Sequence, residues 1–273
     1  MPELPEVEIV KRQLSLNIIN NKIKNISTSE LKLHGKEIPN LNALIGESFS
    51  HIHRRNKYLI LESDNHYLII HLGMTGQLIQ TPNLPEIKKH IHMIIYFQNL
   101  ILYYKDVRRF GKIELYSKDN YPNYLEIPFI KKLGFEPLDD NFNILALNNL
   151  IKDNSSNAKK FIMDGNKICG IGNIYANEIL FLSKINPESS IKNINKKQKN
   201  LLFNNIKTVL QQAIDLGGST ISDFVHLNGN KGTMQDQYYV YGREGQPCKE
   251  CGTSIKKITQ NGRSTFYCPN CQK

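Results

Sequence analysis

Four cysteines near the end of the chain carry the plainest chemistry. Cys248 and Cys251 form one Cys-x2-Cys pair, Cys268 and Cys271 a second, with sixteen residues between the pairs. Two thiolates on each knuckle converge, and two knuckles complete the tetrahedron of a structural zinc site. Four protein ligands leave no open position, so the zinc such a site holds is structural. Between the knuckles, 255–260 and 263–267 flank Asn261-Gly262, the residue pair of a tight type I′ hairpin turn. Zinc is therefore expected to pin the base of a hairpin, with Arg263 beside its tip. Cys169 has no partner at metal-ligand spacing and reads as a small apolar core residue.

The other chemically suggestive stretch is the start, Met1-Pro2-Glu3-Leu4-Pro5-Glu6. If Met1 is removed, the chain begins with the secondary amine of Pro2. An α-amino group titrates near ~8 rather than the ~10.4 of lysine, so part of it is free base at neutral pH. A helix starting just after it sets a positive dipole end nearby and disfavours the protonated amine further. A neutral amine can form an iminium with a sugar aldehyde carbon, with Glu3 adjacent to handle the proton. From position alone, Pro2 and Pro5 also suit a plain helix start.

These residues must be positioned by regular elements. Leu4, Val7, Val10, Leu14 and Ile18 recur at helical spacing and predict an amphipathic N-terminal helix. From about 49 to 117 short Ile- and Tyr-rich runs (58–61, 67–70, 93–97, 100–104, 112–116) alternate with polar turns, predicting an antiparallel sandwich. Residues 133–140, with Gly134, Pro137, Asp139 and Asp140, read as a domain linker. Beyond them helices are expected near 142–152, 173–183 and 196–216, the last closed by Gly217-Gly218. The fold class is therefore α+β and multidomain.

Composition narrows the partners. The chain has 273 residues, 40% of them hydrophobic, and a net charge of +10. That apolar content excludes global disorder, and no apolar run reaches the ~18–20 residues of a membrane span. The acidic, proline-broken start is unlike a secretory signal, and the cysteines are unlike a secreted disulfide scaffold, so an intracellular protein is expected. The charge is unevenly placed: +2 over 1–151, +6 over 152–207, −2 over 208–242 and +4 over 243–273. Sorted positive blocks suit a phosphate backbone, where each Lys or Arg releases condensed counterions.

Taken together, Pro2-Glu3-Leu4-Pro5-Glu6-Val7-Glu8, His71-Leu72-Gly73-Met74-Thr75-Gly76, Asp106-Val107-Arg108-Arg109-Phe110-Gly111, Gly170-Ile171-Gly172-Asn173-Ile174-Tyr175, Val240-Tyr241-Gly242-Arg243 and the four-cysteine finger resemble the bacterial formamidopyrimidine-DNA glycosylases over the whole chain. The resemblance implies three segments: a catalytic helix and β-sandwich over 1–132, a helix–two-turn–helix domain over 141–230 and a zinc finger over 239–273, with duplex DNA held across a cleft. It implies a monomeric glycosylase and AP lyase, cytoplasmic and nucleoid-associated, that excises oxidised purines such as 8-oxoguanine.

The same resemblance assigns roles. Pro2 attacks the sugar C1′, Glu3 is acid/base, Lys57 contacts phosphate and assists elimination, and Arg263 clamps the flanking phosphates and assists δ-elimination. The target base must leave the stack, which costs a few kcal/mol and opens a hole. Met74 fills that hole, Phe110 wedges and Arg108 faces the orphaned cytosine. Asn173, Lys159 and Tyr241 grip the lesion phosphates. His90 matches a DNA-contacting histidine, with His92 close enough to compete for the assignment.

Three departures stand out. A phosphate-contacting family lysine falls on Asn154, Val107 stands where proline is common, and the stretch 219–237, which covers a flipped base, shows no assignable contacts. A sister enzyme for oxidised pyrimidines is the nearest rival; Leu4, Met74 and Phe110 argue against it. A catalytically dead DNA binder is the other, and intact Pro2, Glu3 and Lys57 argue against that.

Overall fold

The structure is a computed structural model that describes residues 1–86, 88–219 and 232–273. It divides into two units, the first Met1–Lys131 with Gly217–Thr233 and the second Lys132–Leu216 with Met234–Lys273. The first unit contains helix α1 (Leu4–Asn17) and strands β1 (Asn25–Thr28), β2 (His51–Arg55), β3 (Tyr58–Glu62), β4 (His66–His71), β5 (Gln77–Thr81), β6 (Ile91–Tyr96), β7 (Ile101–Lys105) and β8 (Lys112–Ser117), then the short helix α2 (Pro128–Lys131). Two four-stranded antiparallel sheets result, ordered β1-β6-β7-β5 and β2-β3-β4-β8.

Their inner faces and the apolar stripe of α1 make one core. Val7, Val10 and Leu14 meet Leu59, Leu61, Leu68 and Ile70 of one sheet and Leu78, Met93, Ile95, Leu102 and Tyr104 of the other. Each such side chain, fully buried, contributes roughly 1.5–3 kcal/mol. β3 and β4 are buried on both faces, because Ile60 and Ile69 pair across the outer face at 0 and 1% exposure. Along that outer side Tyr124 lies against His53 and Tyr67, and Phe129 of α2 against Tyr58 and Tyr116. The strands β1, β2 and β5 have no counterpart among the five apolar runs, being short, polar-rich and only partly buried.

The second unit holds α3 (Ile144–Lys152), α4 (Ala158–Ile162), α5 (Asn173–Leu182) and α6 (Lys196–Asp215), followed by the hairpin of β9 (Lys256–Gln260) and β10 (Arg263–Tyr267). α3, α4 and α6 start at asparagine caps whose side chains accept N–H groups of the first turn. Leu202, Ile206, Val209 and Ala213 form the buried stripe of α6. Residues 133–140 differ from the expected linker. Gly134 N–H donates to Gly165 O (3.0 Å), Phe135 N–H to Lys167 O (2.9 Å) and Cys169 N–H to Phe135 O (2.8 Å). Gly134 packs so close to the Lys167 backbone that no Cβ would fit. The backbone pairing makes this segment part of the second unit, and Cys169 is buried behind it as expected.

Candidate DNA-processing site

In the first unit the start of the chain is held by its own carboxylates. Glu3 caps α1 and forms a reciprocal box with Glu6, whose Oε2 accepts the Glu3 N–H at 2.8 Å. Glu6 Oε1 accepts the N–H of Ser219, also at 2.8 Å. Gly218, at φ +74°, lies so near that an added Cβ would stand 3.0 Å from Glu6 Oε1. Glu3 and Glu6 are 1 and 2% exposed, so the Pro2-Glu3 end of α1 is a fixed point. Residues 220–231, most of the stretch expected to cover a flipped base, lie outside the described residues.

Arg54 ties that helix to the loop bearing Lys57. Its Nε donates to Glu8 Oε2 (3.1 Å) and its Nη1 to the Asn56 carbonyl (3.0 Å). Asn56, at φ +57°, and Lys57 form the two-residue connection between β2 and β3. Burial pushes the Glu8 carboxyl up, but Lys11, Arg54 and Arg12 outweigh it and hold it below the usual carboxylate range. His71, at the end of β4, is a further candidate that the motif His71–Gly76 contains but does not single out. Its Nδ1 accepts the Gly73 N–H (3.1 Å), which leaves the proton on Nε2. Burial, followed by the charges of Lys57, Lys112 and His34, pushes its pKa down to about 4. A neutral imidazole N–H therefore sits in the electrostatic field of Lys57.

Two loops carry the expected intercalating trio. Met74 and Phe110 are 40 and 41% exposed, so both apolar side chains are open to solvent on these loops. The Arg108 guanidinium stacks 4.8 Å from the Phe110 ring centroid. Asp106, fully buried, locks the loops together. Its Oδ1 accepts from Thr75 Oγ1 (2.5 Å), and its Oδ2 from Gly111 N–H (2.8 Å) and Tyr104 Oη (3.2 Å). Thr75 Oγ1 in turn accepts the Arg108 N–H at 3.1 Å. Gly73 abuts the Phe110–Gly111 peptide, where an added Cβ would come to 2.5 Å. Val107 is exposed, so this carboxylate, rather than a proline, restrains the loop.

The two candidate histidines separate cleanly. His92 is 1% exposed and uses both ring nitrogens inside the protein, Nδ1 with Ser29 Oγ (3.0 Å) and Nε2 with the Asp106 carbonyl (2.9 Å). His90 is half-buried at φ +66°, and its carbonyl accepts the Asp106 N–H at 2.9 Å. His90 therefore keeps the candidate role and His92 is a structural residue.

In the second unit α5 organises the remaining set. Asn173 begins the helix after Gly172; its Nδ2 donates to the Ser264 carbonyl (3.0 Å), while its Oδ1 is buried without a hydrogen-bond partner. Lys159 is buried at 3% exposure, and its Nζ donates to Ser264 O (2.9 Å) and Thr265 Oγ1 (2.6 Å). Both side chains thus converge on the residue following Arg263, which is exposed at the hairpin tip. Asn177 Oδ1 accepts the Phe266 N–H at 2.7 Å. Glu178, 2% exposed, accepts the N–H groups of Tyr239, Val240 and Tyr241 at 2.8–3.0 Å. Burial pushes its carboxyl up while those donors pull it down. The Tyr241 ring packs edge-on against Phe266, 5.3 Å away. Asn154 Oδ1 is engaged by Ser156 through N–H and Oγ, within its own turn.

Asn261 and Gly262 both take positive φ, 50 and 72°, as the type I′ turn requires. The sulfurs of Cys248, Cys251, Cys268 and Cys271 all lie within 4.8 Å of one another. Cys251–Cys268 and Cys248–Cys271 are 3.5 and 3.9 Å apart, against roughly 3.8 Å across a zinc tetrahedron with 2.3 Å bonds. The quartet fits one structural zinc, whose chemistry is to cross-link the two knuckles beneath the hairpin.

A model of the formamidopyrimidine-DNA glycosylase N-terminal domain matches residues 1–113, one of the H2TH domain of the same glycosylases matches 133–225, and a zinc finger found in FPG and IleRS matches 245–273. The formamidopyrimidine-DNA glycosylases of Psychromonas ingrahamii and Rickettsia bellii are 40 and 39% identical, each pair aligned over 100% of both chains. The Lactococcus lactis Fpg in complex with abasic-site DNA is 36% identical at a TM-score of 0.90 over 99% of each chain. The wild-type enzyme with N7-benzyl-Fapy-dG DNA gives the same identity and score over 100% of each. Matched from end to end in sequence and in fold, the chain belongs to the formamidopyrimidine-DNA glycosylase family.

Proposed function

We propose that this chain is a bifunctional DNA glycosylase and AP lyase that removes oxidised purines from duplex DNA in base excision repair. The observation that carries the reading is full-length family membership together with a Pro2-Glu3 terminus held rigidly at the start of α1. With Met1 removed, the Pro2 nitrogen bonds to C1′ as the glycosidic C–N bond breaks. The base leaves with the electron pair and takes a proton. After losing its proton, the nitrogen expels O4′ from C1′, with O4′ taking a proton as the sugar ring opens to an iminium that acidifies C2′–H. Loss of that proton expels the 3′-phosphate, loss of the C4′ proton expels the 5′-phosphate, and water then hydrolyses the iminium to free Pro2, leaving a one-nucleotide gap. Glu3 is the acid/base at this centre, and Lys57, beside neutral His71, assists the eliminations.

Met74, Arg108 and Phe110 occupy the gap left by the extruded base, consistent with the exposure of the two apolar side chains. An aromatic wedge and a flexible thioether replace lost stacking, and a guanidinium matches cytosine's acceptors. Arg263, Asn173, Tyr241 and His90 engage the phosphates, and Lys159 supports that grip from behind. For Lys159 the geometry supports a role through the Ser264 backbone beside Arg263. The three expected segments (1–132, 141–230 and 239–273), action as a monomer and a bacterial cytoplasmic, nucleoid-bound location belong to the same reading. No helix among the described residues is long and apolar enough to cross a membrane.

The test is borohydride trapping on an 8-oxoguanine:cytosine duplex with protein whose N-terminal proline is verified free. A covalent adduct and a nicked strand are expected; no adduct would sink the enzyme reading. One solved relative holds oxidised-pyrimidine DNA, so a thymine glycol duplex is the second arm. Faster cleavage of thymine glycol would favour the sister activity.

A further inference from the structure

Beside the wedge loop lies a surface cavity of about 470 Å³ lined by Arg108 and Phe110 and by four residues without a role above, Lys32, His34, Gly35 and Arg109. Four of its six residues are basic and none is acidic. Arg109 has no carboxylate within ion-pair distance among the described residues, and Lys32 has only the exposed Glu37, at 3.5 Å. The backbone that presents these groups is held in unfavourable conformations. His34 and Arg109 sit at φ +48 and +56°, where non-glycine residues are uncommon and cost energy. They are fixed by the His34 N–H donating to the Arg109 carbonyl at 2.7 Å, and by reciprocal bonds between Leu33 and Lys36 (2.8 and 2.9 Å) that close the His34-Gly35 turn. An added Cβ at Gly35 would meet nothing within 4 Å, so the mouth of the cavity is open.

We propose that this cavity is an anion subsite for a backbone phosphate of the strand opposite the lesion, with Lys32, His34 and Arg109 as its ligands. The inference rests on the proposed function through one link: Arg108 and Phe110, which form the near wall, are the pair placed at the orphaned base. The fixed anions nearest an orphaned base are the phosphates that flank it on its own strand, at a rise of ~3.4 Å per nucleotide. A basic cavity sharing a wall with the wedge meets those phosphates when the wedge enters. It gives the enzyme a hold on the undamaged strand, so that the lesion strand alone is displaced when the base is extruded.

The experiment measures binding to a duplex containing a tetrahydrofuran abasic analogue opposite cytosine, as a function of salt. The variant pairs Lys32→Ala with Arg109→Asn, asparagine being tolerated at positive φ. The double variant is expected to bind about 10-fold more weakly and to lose roughly 1 from the slope of log K against log salt, ~0.9 for the one phosphate contact. When the two phosphates flanking the orphan cytosine are neutral methylphosphonates, wild type and variant should bind alike, because each change removes the same contact. Equal losses on both duplexes, or a loss abolished only by methylphosphonates on the lesion strand, would overturn the assignment. Failed trapping with this cycle intact would refute the lyase reading and leave the subsite standing; a wild type that binds no abasic duplex refutes both.

Discussion

Replacing Asp106 tests the reasoning about the wedge most sharply, because its buried carboxylate is the shared acceptor of two loops. Asp106→Leu keeps the branching at Cγ and removes both side-chain acceptors, leaving Thr75 Oγ1, Tyr104 Oη and the buried Gly111 N–H without their partner. Each stranded donor costs about 1–3 kcal/mol, so the expected loss is about 3–9 kcal/mol, a large share of a typical ~5–15 kcal/mol. Asp106→Asn should behave differently. Its oxygen at the Oδ2 position keeps Gly111 N–H and Tyr104 Oη, and its amide donates to Thr75 Oγ1, leaving the threonine proton and the second amide N–H unplaced. That variant should lose about 2 kcal/mol. Urea denaturation separates the two, and fluorescence of 2-aminopurine beside an abasic analogue reports whether the wedge still enters. The expected pattern is a wedge signal weakened in the leucine variant at a urea concentration where it remains folded, and largely restored in the asparagine variant. Equal stability of the leucine variant and wild type, or a normal wedge signal from it, would refute the brace.

Three further outcomes follow from the same geometry. Arg54→Leu strands Glu8, whose side chain is 10% exposed; the loss should be about 2–4 kcal/mol, softened by Lys11 and Arg12, and visible in chemical denaturation. Because the folded Glu8 value lies below the 4.5 of the free side chain, its contribution is complete above that pH and fades as pH falls through the folded value, so the penalty of Arg54→Leu should change only in that acid range. His71 has linkage of the same sign at higher pH: its folded pKa of about 4 lies below the ordinary 6.5, so the unfolded chain takes up a proton first and stability falls as pH drops from 6.5 to 4. His71→Asn should remove roughly 2–3 kcal/mol of that acid sensitivity, read from Tm against pH. Stripping zinc with a chelator, or Cys268→Ser, should release one zinc per chain by metal analysis, melt the hairpin and weaken abasic-duplex binding at least ~10-fold; unchanged binding by metal-free protein would show that the hairpin does not need the ion.

Local patterns carried a large part of this protein. The cysteine pairs specify a four-thiolate cluster, Asn261-Gly262 a type I′ turn, the stripe of α6 its buried face and Pro2-Glu3 a helix start, since each rests on neighbours within one turn, one hairpin or one knuckle. The short strands β1, β2 and β5 escaped because partial burial leaves a weak alternation. The supposed linker at 133–140 escaped because its partners are backbone groups near 165–169, invisible to composition.

What only the tertiary structure decided is which polar side chains are spent on holding the site. Glu6 reaches Ser219, 213 positions away, and the Lys159 ammonium reaches Ser264, 105 positions away. Whether a histidine is buried with both ring nitrogens engaged, as His92 is and half-buried His90 is not, depends on Ser29 and on a carbonyl fourteen residues on. A buried carboxylate such as Asp106 or Glu178 must find donors wherever the chain returns to it, and burial makes those bonds obligatory. Residue type and spacing therefore announced the chemistry, while the orientation of the groups that perform it was set by contacts that no local pattern encodes.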